Sequence, residues 1–182
     1  VTASSNALLD KLSGGDRRSI GQSDQVAGLV LRRPALFPQL MHGLWHSDPL
    51  IRMRAADAAE KVSLRRPDLL QPFKGKLLRL LDEATQQELR WHLAQMVSRL
   101  RLSKHDRARA VIALRRHLAD ESSIVKTFAL QALTELANAD AALVPAVKGL
   151  LNAAAESGTP AMRARSRKLL RQFLRCDTVK SD

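Results

Sequence analysis

The chain has 182 residues, 45% of them hydrophobic and 26% charged, and a formal net charge of +12, so it can bury a sizeable core and carries a basic surface. Its single cysteine, Cys176, excludes an internal disulfide and a cysteine-based zinc site. No apolar run approaches the ~18 residues of a membrane-crossing helix, and a Leu-, Ala- and Val-rich set with two Trp, four Phe and no Tyr predicts an all-α chain.

Residues 1–33 predict a short helix around 6–12, a stop at Gly14-Gly15 and a second helix from Asp16 to Leu31. With Ser19 as anchor, Gln22, Val26 and Leu29 fall at +3, +7 and +10, a polar version of the stripe that suits a capping unit. Residues 34–66 follow with a first helix presenting Leu36, Leu40, Met41 and Leu44. The second helix opens at Asp48-Pro49, a cap followed by a proline where its missing N–H costs nothing, and stops before Pro67.

In residues 67–102 the first helix uses Leu70, Phe73, Leu77, Leu80 and Leu81. The run Thr85-Gln86-Gln87-Glu88 resembles a capping box ahead of the second. Residues 103–138 predict a helix from His105 to Leu118, with Ala108, Val111, Ile112 and Leu114 inward, and another from Ser123 to Ala137. Residues 139–175 hold Pro145, which requires the first helix to kink or to begin at Val144. Thr159-Pro160 then repeats the cap-and-proline start, and residues 176–182 form a tail.

One grid runs through these pairs. From Arg52 the +3, +7 and +10 residues are Ala55, Ala59 and Val62; from Arg90 they are Leu93, Val97 and Leu100; from Lys126, Ala129, Leu133 and Leu136; from Arg163, Ser166, Leu170 and Phe173. The basic anchors stand 38, 36 and 37 residues apart, a period at which each two-helix unit completes its core by stacking on the next. The pattern from Ser47 to Val62 resembles the second helix of a HEAT repeat. The resemblance implies one right-handed α-α superhelix, a HEAT-like solenoid of about five helix pairs.

Two sets of side chains invite a functional reading. The anchors Arg52, Arg90, Lys126 and Arg163, with Asp48 as a turn acid, are expected to form a structural ladder, since in the family this position pairs with an acid or carbonyl of a neighbouring turn. The +2, +9 and +13 positions hold Arg54, Lys61, Arg65, His92, Arg99 and Arg165, which the resemblance places on the concave wall as a basic strip for a partner. The alternative for the strip is a solvated helix flank.

His42 and His46 have half the spacing of a metal site and no third ligand nearby, so no metal is expected. Trp45 and Trp91 are expected in packing rather than as stacking platforms. Neither a catalytic constellation nor a cofactor motif appears. The expectation is a cytoplasmic, non-catalytic scaffold that takes no small-molecule substrate or cofactor and binds an acidic protein through basic side chains. The alternative is a nucleic-acid binder, resembling in that case the HEAT-like alkylpurine DNA glycosylases, whose acid set among aromatics is not visible as a cluster in sequence.

Overall fold

Helix starts follow the caps: Asp48 accepts the Leu50 N–H at 2.8 Å and Pro49 opens the helix behind it. The computed structural model describes residues 7–16 and 19–178, side chains from 174 onward excepted. Among the described residues there are ten α-helices and no strand, and no helix is long and apolar enough to cross a membrane. The helices fall into two compact units, Val1–Arg101 and Leu102–Asp182.

The first unit holds α1 (Ala7–Asp10), α2 (Ser23–Arg32), α3 (Phe37–His42), α4 (Pro49–Arg65), α5 (Lys74–Glu83) and α6 (Gln87–Ser98). Helices α2, α4 and α6 pack successively side by side, while α1 packs on α3, α3 on α4 and α5 on α6. The predicted stripe is buried: Ala55, Ala59, Val62, Leu93 and Val97 are sealed from solvent, and Leu100 almost so. Alanine at two of these steps lets neighbouring backbones approach closely, and Phe37 meets Phe73 edge-on, with ring centroids 5.9 Å apart.

Two expectations for this unit need correction. Helix α2 begins at Ser23, not Asp16: Gly14, Gly15 and Gly21 take left-handed φ values of 70°, 79° and 55°, which a helix does not admit. Its buried side is Ser23, Val26, Ala27 and Val30, leaving Gln22 exposed and Leu29 half-buried. Asn6, in the first predicted helix, lies outside the described residues. The capping box at Thr85 does not form. Gln86 occupies the cap position without a side-chain cap bond, and its amide instead donates to Pro49 O at 2.9 Å and accepts from Arg52 Nε at 3.1 Å, joining the starts of α4 and α6.

The second unit holds α7 (Lys104–His117), α8 (Ser123–Asn138), α9 (Val144–Ser157) and α10 (Pro160–Thr178). Helix α8 packs on α7, α9 and α10, and α9 on α10. Ser103 caps α7 and Ser122 caps α8, and α9 begins at Val144 with Pro145 in its first turn. The inward side of α7 is Ala110, Ala113, Leu114 and His117. Ala108 is exposed and Ile112 is 53% exposed, contrary to expectation. Positions 110, 113, 114 and 117 make the continuous helical stripe, and Ile112 falls off it. In α10 Leu169 joins Ser166 and Phe173 inside, and Leu170 is half-buried.

Candidate partner-binding surface

The four anchors occupy one step of four helices. In each, the anchor N–H donates to the carbonyl of the cap residue four positions back: Arg52 to Asp48, Arg90 to Gln86, Lys126 to Ser122 and Arg163 to Thr159. Three guanidiniums then reach back into the turn ahead of their own helix. Arg52 Nη1 donates to His46 O at 2.8 Å and Ser47 O at 2.9 Å, Arg90 Nε to Ala84 O at 2.7 Å, and Arg163 Nη1 to Gly158 O at 2.8 Å. Lys126 is half-buried at the same step. These backbone carbonyls belong to the anchor's own turn; Arg52 also reaches the next one, its Nε donating to Gln86 Oε1 at 3.1 Å, and the Asp48 carboxylate is occupied by the Leu50 N–H. Such charge-assisted bonds fix the turn that aims each helix.

The residues of the expected strip have separate fates. Arg54 is 1% exposed and donates to the carbonyl oxygens of Leu12, Gly14, Asp16 and Ser19 at 2.9, 2.6, 2.9 and 3.1 Å. No face of it is left for a partner. It serves as the core of the loop between α1 and α2, and a Cβ on Gly21 would stand 2.7 Å from its Cζ. Lys61 bridges Asp24 on α2 and Asp57 on its own helix. Burial works against the Lys61 charge, but hydrogen bonds and attraction from Asp24 and Asp57 outweigh it and raise the pKa.

Arg99 donates to Glu60 Oε1, to Glu60 O at 3.0 Å and to Ser63 Oγ at 2.7 Å, locking α6 to α4. Arg165 donates to Gln131 Oε1 on α8 and lies over the Phe128 ring, 5.6 Å from its centroid. Arg65 alone of the six is solvent-exposed. The +2 and +9 side chains therefore act mainly as links between successive second helices.

His92 is 8% exposed, and burial pushes its pKa down to about 4, against the attraction of Asp57; Lys61 lowers it further and Glu88 opposes. It is neutral near pH 7 and adds no charge to a strip. Its Nε2 lies 3.9 Å from Asp57 Oδ1, and Nδ1 has no hydrogen-bond partner. Asp57, Glu88, Trp91 and His92 line one cleft of about 390 Å³ together with Ser19, Ile20, Met53 and Arg54. The fold thus brings two carboxylates beside Trp91, a juxtaposition that the linear sequence hides.

A second concavity, about 350 Å³, was not legible in the sequence: His42, Trp45, Lys76 and Arg79 line it. Trp45 is 43% exposed, contrary to its expected place in packing. It follows Leu44 by one residue in a 3-10 turn, Gly43–Trp45, and so points roughly 120° away from the inward side of that turn. His42 is exposed beside it, whereas His46 Nδ1 accepts the Asp48 N–H at 3.0 Å, so the two histidines do not act as a pair. Among the described residues no group of three His, Cys, Asp or Glu converges on one point. No protein-family model and no curated protein sequence matches this chain.

Proposed function

We propose that the chain is a non-catalytic interaction module, its helix pairs being HEAT-like repeats of a solenoid, which binds an acidic protein partner. The reading rests on one observation: in the first unit Trp45 stands exposed beside Lys76 and Arg79, while Arg54, Lys61 and Arg99 on the second helices are occupied by carbonyls and carboxylates. A side chain already paired within the fold offers a partner little new interaction. Lys76 and Arg79 are exposed, and the net charge of +12 steers acidic surfaces toward the chain. The contact face is therefore the first-helix side rather than the second-helix strip.

The test is a calorimetric titration of the chain with polyglutamate and, separately, with oligothymidine of equal charge. Tighter binding of polyglutamate supports the reading. Tighter binding of oligothymidine, with an affinity that falls steeply with salt as counterion release requires, replaces it with the nucleic-acid reading.

A further inference from the structure

We infer that the hollow formed by His42, Trp45, Lys76 and Arg79 receives one bulky apolar side chain of an acidic peptide segment, with the flanking carboxylates held by Lys76 and Arg79; this inference rests on the interaction reading above. The four residues form two pairs, His42 with Trp45 and Lys76 with Arg79, each three residues apart and so on one face of its own turn. One pair supplies an aromatic wall and the other two cations. Among the described residues that line the hollow there is no acid, and two of the four are cations that attract a carboxylate.

Size and company narrow the occupant. At about 350 Å³ the hollow lies at the small end of the range for ligand pockets, ~300–1,000 Å³, which suits a single large side chain. Proteins that track single-stranded nucleic acid offer successive aromatic platforms along a basic groove. Here the only other tryptophan, Trp91, is half-buried and lines a different cleft with Asp57 and Glu88, whose charge opposes phosphate. An aromatic anchor in a pocket with charged groups at its rim is the usual arrangement of a peptide hot spot.

The experiment uses the full chain carrying Trp91→Phe, which leaves Trp45 as its one tryptophan, and reads Trp45 emission. The probes are a capped peptide of glutamates flanking one phenylalanine, its alanine analogue and its glutamine-flanked analogue. The phenylalanine-glutamate peptide shifts the emission and binds about tenfold or more tightly than either analogue, and Lys76→Glu with Arg79→Glu removes that advantage. The charge-matched pair Arg32→Glu and Arg65→Glu, both at exposed positions, retains it. Far-ultraviolet circular dichroism verifies that each variant is folded.

Equal affinity for the alanine analogue, or indifference to the Lys76 and Arg79 reversals, overturns the inference. A larger emission shift with oligothymidine than with the peptide overturns it in favour of nucleic acid. Polyglutamate binding with unchanged Trp45 emission overturns this site and leaves the interaction reading standing. Absence of binding to every acidic probe removes both.

Discussion

Nη1 of Arg54 lies 2.6 Å from the carbonyl oxygen of Gly14, a residue 40 positions earlier in the chain. The same guanidinium holds the carbonyls of Leu12, Asp16 and Ser19, so four points of the chain between α1 and α2 are tied to α4 by one side chain. Replacing Arg54 by Met leaves several carbonyls without a partner. The expected cost is about 3–5 kcal/mol, read as a fall in the urea midpoint with faster amide exchange in residues 12–21. Arg54→Lys recovers only part, because an ammonium cannot span the fork. A loss of under about 0.5 kcal/mol contradicts the role, being no more than an ordinary surface change costs.

Arg65 ends α4 and Arg99 caps the C-terminus of α6, yet their substitutions should differ. The Arg99 side chain is 17% exposed and that of Glu60 13%, so Arg99→Ala is expected to cost about 1–3 kcal/mol. Arg65→Ala, at an exposed position, is expected to stay within about 0.5 kcal/mol. Chemical unfolding of the two variants in parallel checks the contrast.

His92 gives the fold a pH dependence. Its pKa falls from an ordinary 6.5 to about 4 in the folded chain, chiefly through burial, so between those values the unfolded chain binds the extra proton. The contribution is fully present above about pH 6.5 and is lost as pH falls toward 4, a change of order 2–3 kcal/mol. Urea unfolding from pH 7 to 4.5 measures it, and His92→Phe should flatten that slope. A His92 imidazole titrating near 6.5 by nuclear magnetic resonance contradicts the assignment.

Ser166 sits on the inward stripe of α10 with no exposure and an unpartnered Oγ. Alanine removes that hydroxyl at the cost of a small void. Ser166→Ala is therefore expected to be neutral or stabilising by about 1 kcal/mol, visible as a rise in the melting temperature. A clear fall shows that the hydroxyl matters.

The parts legible in sequence are those set by local chemistry. The cap at Asp48, the start of α9 at Val144 and the buried steps after Arg52, Arg90 and Lys126 each depend on residues within a few turns. The expected exposure of the Arg54 strip depended on what lies across from it. Its partners are backbone carbonyls some 40 residues away, and a carbonyl leaves no mark in a residue code. The expectation that Trp45 is packed fails for a related reason. A tryptophan one step off an apolar stripe reads as core until the neighbouring helix is seen to leave it open and to bring Lys76 and Arg79 beside it.

The most direct test of the account is the effect of charge reversal on polyglutamate affinity at low salt, with Lys76→Glu/Arg79→Glu set against Arg32→Glu/Arg65→Glu. Both pairs change the net charge equally, so their difference reports location alone. The account predicts that the first pair weakens binding roughly tenfold more than the second. Equal weakening would make the interaction a matter of overall charge, and greater weakening by the second pair would place the contact elsewhere.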